Sequence, residues 1–291
     1  MATTVTLTGT GVPFPQAGRA GAGTLVRCGN HALQFDAGRA TTLRLAEAGI
    51  LPHQLTAVFI THVHSDHIVD LPDIAMTRWT RSSVGGAGPL VVIAAEGNVE
   101  RFVASMLAPY ADDIAVRMHH VQPSPPEIDL RTFTAPPRPE VVWRSEDEQI
   151  TVTAVGVHHE PVTEAVAYRI DTPDGAIVIS GDTRVCTEVE ELCHGADLLV
   201  HEACRTTALA EVVKGTPLET IFEYHADTVA LGAMAERAGV PRTVLTHLIP
   251  APDTPEAEAD FAKDLKAGGY RGHITVGRDL QTFTLTGKDH L

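Results

Sequence analysis

The chain has 291 residues, 44% apolar and 20% charged, which fits one large or two small globular domains and argues against a disordered chain. No apolar run reaches the ~18 residues that span a bilayer, and the first residues lack the basic-then-apolar order of a secretory signal, so we expect a cytoplasmic protein with no membrane role. Against 37 acidic residues stand 22 Lys and Arg, a net charge of −15 that repels polyanions at long range, so nucleic acid is not expected as a partner.

Strand-like runs open the chain at 5–7, 24–26 and 32–35. A helical pattern over 39–48 closes at Gly49, and a strand follows at 56–60. A second helix is expected over 67–79, a strand over 90–93, a helix over 99–107 that stops before Pro109, and a strand over 114–116. The segment 123–139 carries six prolines, which no regular helix or central strand accepts. We read it as a surface connection joining two halves of a single domain, 1–291. Strands resume at 150–157, 165–170, 176–180, 197–200, 243–246 and 282–285, with helices over 227–238 and 255–267. The four cysteines, Cys28, Cys186, Cys193 and Cys204, form no C-x-x-C pair and read as reduced thiols.

Histidine is in excess, with 15 residues, and its placement carries the chemistry. Thr61-His62-Val63-His64-Ser65-Asp66-His67 follows directly on a strand. Residues i and i+2 of an extended chain point the same way, so His62 and His64 can converge on one ion while the turn brings Asp66 and His67 beside them. Imidazole and carboxylate without thiolate suit Zn²⁺, with Mn²⁺ or Fe²⁺ as alternatives. Later strands end the same way, on His158-His159, on Gly181-Asp182-Thr183, on His201-Glu202 and on His247. Sites in α/β sheets collect at such strand ends. Strand alternation places His159 with Val155 and Val157 on one face and His158 on the other, and chemistry alone leaves both open.

These features together resemble the metallo-β-lactamase fold superfamily, and within it the ribonuclease Z-like branch. The likeness to the branch rests on Gly9-Thr10-Gly11 with Pro13, on Phe35-Asp36-Ala37-Gly38, on His159 nine residues before Tyr168-Arg169, on Leu199-Val200-His201-Glu202-Ala203, and on His225-Ala226-Asp227-Thr228. It runs from about residue 5 to 286. The resemblance implies an α/β (α+β) four-layer αβ/βα sandwich with metals at one edge of two facing mixed sheets. It implies two Zn²⁺ per chain, one held by His62, His64 and His159, the other by Asp66, His67 and His247, with Asp182 bridging. It favours His159 over His158. Asp66 would also orient the metal-bound hydroxide that attacks, and His225 with Glu202 would relay a proton or support the site. Relatives in the branch commonly form homodimers.

One departure shapes the expected substrate. Ribonuclease Z carries a long arm that grips tRNA between the third histidine and the bridging aspartate, whereas here 22 residues, 160–181, fill that interval. With the negative charge, this leads us to expect a small-molecule substrate. The function expected is a dinuclear zinc-dependent hydrolase of a small anionic substrate, foremost a phosphodiester or related ester. The alternatives are a lactone, carboxylic ester, β-lactam or arylsulfate hydrolase, and a non-hydrolytic metal-binding accessory protein. Blander readings fall on other residues. Asp36 would fix the turn at Gly38, and His201 would be a packed histidine. Arg184 would meet an anion or a surface carboxylate. Trp79, Phe102 and Tyr110 would line a pocket or pack in the core. His31, His53, His119, His120, His194, His273 and His290 would lie at the surface, and Gly85-Gly86-Ala87-Gly88 would be a flexible turn.

Overall fold

The computed structural model describes residues 2–82 and 87–287, so His290 and the start of the Gly85–Gly88 turn lie outside the described residues. Fourteen strands among these residues form two sheets. The first holds β1 (Thr3–Gly9), β2 (Gly23–Cys28), β3 (His31–Phe35), β4 (Ala57–Ile60), β5 (Leu90–Ala95) and β6 (Ile128–Phe133). The second holds β7 (Glu140–Arg144), β8 (Thr151–Gly156), β9 (Val166–Thr172), β10 (Gly175–Ile179), β11 (Leu198–Cys204), β12 (Arg242–Ile249) and β13 (His273–Val276). The last strand, β14 (Thr282–Leu285), returns to pair with β1, giving the orders β14-β1-β2-β3-β4-β5-β6 and β13-β12-β11-β10-β9-β8-β7.

Helices cover the outer faces: α1 (Thr41–Glu47), α2 (Ser65–Ile68), α3 (Leu71–Ser82), α4 (Asn98–Ser105) and α5 (Ala111–His120) in the first half, then α6 (Thr187–Cys193), α7 (Thr206–Val213), α8 (Thr228–Ala238) and α9 (Pro255–Ala267). Because both faces of each sheet are covered, central strands read as apolar runs rather than as alternations. Every residue of β4 is buried: Ala57 and Phe59 join the core between the sheets, while Val58 and Ile60 join the core beneath the first-half helices. In β11, Leu198 and Val200 face the inner core, and Leu199 packs in the outer core with Leu231 of α8 and Phe261 of α9. Three apolar layers between four structural layers make the αβ/βα sandwich. Among the described residues no helix is long and apolar enough to cross a membrane.

Two expectations need correction. Residues 114–116 are not a strand but the middle of α5, where Asp112 and Asp113 sit in the first turn and Arg117, His119 and His120 in the last, matching the helix dipole at both ends. The helix expected over 67–79 is split into α2 and α3, with Pro72 in the first turn of α3, where its missing N–H costs no hydrogen bond. The proline-rich segment holds β6 between two proline triplets, and β6 is an edge strand.

The sheets are fastened to each other where the histidine motif begins. Tyr168 of β9 packs its ring against Phe35 and Phe59 at centroid distances of 5.5 and 5.6 Å. Its buried hydroxyl donates to the Ile60 carbonyl at 2.8 Å, and the Val166 amide donates to the Thr61 carbonyl at 3.0 Å. Tyr168→Phe keeps the ring and removes this buried bond between the sheets, a loss of about 1–2 kcal/mol. Calorimetry should show a midpoint lowered by roughly 2–8 °C; an unmoved midpoint would mean that this bond does not hold the sheets together.

Candidate metal centre

The strand β4 delivers His62 to the gap between the sheets, and the short helix α2 turns Asp66 and His67 back beside it. All three are buried, and His64 is half-buried at the mouth. The neighbouring strand β3 runs parallel to β4 and ends on Phe35, which places Asp36 under the motif. Asp36 accepts hydrogen bonds from the Thr61 amide at 2.8 Å, the Thr61 hydroxyl at 2.9 Å and His67 Nδ1 at 2.7 Å. The Thr61 hydroxyl has one proton, given to Asp36, so at 3.0 Å it accepts from His62 Nδ1. One carboxylate thus fixes two imidazoles with Nε2 as the free lone pair. His159 is oriented likewise: Nδ1 donates to the Tyr224 carbonyl at 3.1 Å. Gly38 lets this layer close, since a Cβ there would lie 2.1 Å from the Asp66 carbonyl oxygen.

The donor atoms form two groups that share a residue. His64 Nδ1 lies 3.0 Å from His62 Nε2 and 3.1 Å from His159 Nε2, and Asp182 Oδ2 lies 3.9 Å from the Nε2 atoms of His62 and His159. In the second group, His247 Nε2 lies 3.1 Å from Asp66 Oδ2, and His67 Nε2 lies 3.7 Å from the same oxygen. Asp182 faces this group too, with Oδ1 3.4 Å from His67 and Oδ2 3.3 Å from His247. Four donors at 2.0–2.2 Å around a tetrahedral ion lie about 3.3–3.6 Å apart, and the observed spacings straddle that range.

His247 reaches the site through a bulge. The pairing of β11 with β12 runs Glu202 to Thr246 and then Ala203 to Leu248, so His247 is the unpaired extra residue, at φ 44°.

The electrostatics call for a cation. Asp36, Asp66, Asp182 and Glu202 are all buried. Burial opposes ionisation of Asp182, but His247 and His67 outweigh it and hold the carboxyl well below its usual range. Burial likewise opposes a charged His67, but Asp182 and Asp36 outweigh it and raise the imidazole well above its ordinary value. His62 is driven the other way, mainly by burial and then by His67, into the neutral form that ligates. His67 Nε2 and Asp182 Oδ1 are buried without a hydrogen-bond partner, as atoms reserved for a metal would be. The residues therefore fit a divalent cation.

Beside the cluster, Glu202 Oε1 accepts from the Thr183 amide and from His225 Nδ1, both at 2.8 Å. The His225 ring stacks on His247 at 5.6 Å and meets His159 at 5.1 Å. Burial works against its charge, but Glu202 prevails and the imidazole is pushed up to about 9.

Every residue expected in the cluster is brought together. His158 instead stays at the surface, 3.6 Å from Glu160 and 3.3 Å from Glu188. Arg184 takes the surface reading, 3.4 Å from Glu160. His201 is buried and donates from Nδ1 to the Glu202 carbonyl at 2.7 Å. Trp79 lines a separate cavity of about 120 Å³ with Arg78 and Pro125, Phe102 packs against the first-half helical core, and Tyr110 is exposed. The roles of Asp36 and Thr61 were missed; the available signal was an aspartate ending the strand just before the one that carries the motif.

A family model described as a β-lactamase superfamily domain matches residues 28–248. A protein named Ribonuclease Z from Mycobacterium sp. (strain KMS) is 39% identical over 278 residues, 95% of this chain and 94% of that protein. Among solved structures, the metallo-beta-lactamase fold protein YhfI from Bacillus subtilis superimposes with a TM-score of 0.75 at 21% identity, covering 98% of this chain and 100% of that one. The short form of human tRNase Z gives 0.70 at 21% identity, with 97% and 99% covered.

The mycobacterial relative overturns the expectation of a small-molecule substrate with nucleic acid excluded. It is a ribonuclease by name, and near-complete coverage of both chains means they are of nearly equal length. A short interval between His159 and Asp182 therefore does not separate this chain from ribonucleases Z. Net charge sums over the whole surface and does not report the field at one mouth.

Asp36→Asn leaves the fold packed but puts an N–H₂ group in place of one of the two oxygens that accept from Thr61 and His67. Metal affinity, read by chelator competition, should fall about 10- to 100-fold. Unchanged affinity would show that Asp36 does not orient the ligands.

Proposed function

Given that the chain belongs to the β-lactamase superfamily and, within it, to the ribonuclease Z family, we propose that this metal-dependent phosphodiester hydrolase cleaves RNA. We assign His62, His64 and His159 to one zinc ion, Asp66, His67 and His247 to a second, and Asp182 to both. The reading is carried by Asp182, whose carboxylate faces both donor groups at 3.3–3.9 Å. An all-nitrogen-and-oxygen donor set is the reason for zinc, with Mn²⁺ or Fe²⁺ as the competing occupants. Ligands come from both sheets, so residues 1–291 act as one domain.

A bound metal pair supplies Lewis acidity toward a phosphoryl oxygen and acidifies a water enough to attack at neutral pH. The protein's own groups do the rest. Asp66 stands in the second donor group beside His247 and His67, and we assign its carboxylate the orienting of the attacking water. The Glu202 carboxylate, 2.8 Å from His225 Nδ1, favours the protonated imidazole, and we assign His225 the proton that the leaving ribose oxygen needs. Glu202 also fixes the Thr183 amide next to Asp182, so one buried carboxylate sets both the proton donor and the shared ligand.

The test is cleavage of 5′-labelled RNAs, a 3′-extended tRNA among them, by protein whose metal content is measured. We expect about two equivalents of zinc per chain and site-specific cuts. His225→Gln should lower kcat by about 10²- to 10⁴-fold with the metal content retained. Intact RNA at full metal loading overturns the reading.

A further inference from the structure

Three buried imidazoles of the cluster have a protein acceptor behind them: His62, His67 and His159 donate from Nδ1 to Thr61, to Asp36 and to the Tyr224 carbonyl. His247 differs. Its Nε2 faces Asp66 and Asp182 at 3.1 and 3.3 Å, so with a cation there the ring proton sits on Nδ1. That Nδ1 is buried, and among the described residues nothing accepts from it. Glu202 shows the complementary gap. Its Oε1 accepts from the Thr183 amide and from His225, whereas its Oε2 is buried and accepts from nothing among the described residues.

Both residues line one cavity. A space of about 20 Å³ lies under the cluster, shared by Glu202, His247 and Asp182 on its polar side and by Phe35, Ile179 and Val200 of the core between the sheets. Glu202 pairs with Thr246 in the ladder of β11 with β12, so Glu202 and His247 stand one step apart on neighbouring strands. A single water needs roughly 10–15 Å³ and two to four polar partners. An unmatched N–H donor and an unmatched carboxylate oxygen that share a buried space of this size meet both conditions, and buried polar groups are as a rule bonded to protein or to such a water.

Resting on the assignment of His247 to a metal ion, we propose that one buried water fills this cavity, accepting from His247 Nδ1 and donating to Glu202 Oε2, so that Glu202 is the positioning residue of His247 as well as of His225. An acceptor behind a ligating imidazole fixes its tautomer and raises its basicity. The carboxylate acts here through a water, as Asp36 acts on His62 through the Thr61 hydroxyl. The His225 and His247 rings lie nearly parallel, 18° apart with centroids at 5.6 Å, and the two oxygens of one carboxylate serve one ring each. A metal ligand and the proton donor are thereby tied to a single buried charge. The bridge does not depend on which phosphodiester is cut.

Zinc-loaded protein carrying ¹⁵N-labelled histidine tests the bridge. The wild-type chain should give a slowly exchanging Nδ1–H resonance for His247 with cross-relaxation to a bound water, and crystals of it should show density within about 3.2 Å of both atoms. Val200→Ile adds one methylene on the cavity floor. It should expel the water, shift the His247 resonance, leave the His225 Nδ1–H resonance in place and lower zinc affinity, read by chelator competition, by about 10- to 100-fold. In a Glu202→Gln background the same substitution should cost nothing further, because the bridge is already lost. Additive losses, a direct bond between Glu202 and His247, or a dry cavity at full zinc loading overturns the bridge alone. A chain that takes up no zinc overturns the metal assignment of His247 and the bridge with it. The wild-type resonance and density decide the matter whatever the stability of the variants.

Discussion

Four carboxylates buried within one rim set the terms for the rest of the molecule. Asp36, Asp66, Asp182 and Glu202 have left water, and each buried ion of this kind costs several kcal/mol unless it is matched by charge and hydrogen bonds. The protein matches them with imidazoles, of which His62, His67, His159 and His225 are each held by a hydrogen bond on the far side. Asp36 holds His67 directly and His62 through Thr61, and Glu202 holds His225. The deficit that remains lies between Asp66 and Asp182, where His67 is drawn toward protonation. A divalent cation there is what lets the ensemble be both buried and neutral enough to persist.

The sandwich serves this balance by bringing parallel strand ends from opposite sheets to one place. β3 and β4 bring Asp36 and the histidine motif, while β10, β11 and β12 bring Asp182, Glu202 and His247. Neither half holds a full donor set. The bond from Tyr168 to Ile60 and the Val166 bond to Thr61 sit at the seam between halves, one residue from His62. Packing between the sheets and ligand placement are therefore one problem, and a shift in the core would be felt at the metal.

Much of the site could be read in the sequence because its residue types are rare and directly follow apolar strands. His62, His64, Asp66 and His67 announce themselves within six positions, and Asp182 and His247 follow the same rule. What stayed hidden depends on pairing between segments. Asp36 lies 31 residues before His67, and their contact exists only because β3 and β4 are parallel neighbours. The choice of His159 over His158 is explained by the Tyr224 carbonyl, 65 residues away. The triplet at 114–116 was too short to reveal a period, and only the charges at either end of α5 mark it as helical. Net charge misled about the substrate because it is a single sum over a surface whose recognition is local.

The bulge in β12 ties the metal ligands to the loop between β1 and β2. Side chains on a strand alternate with a period of two, so one unpaired residue reverses the facing of all that follow. With His247 set outside the ladder, Leu248 returns to the outer core and Ile249 turns toward Val12 in the loop between β1 and β2. Removing one residue from β12 would therefore misplace a metal ligand and unseat the loop in the same stroke, so that neither can shift without the other.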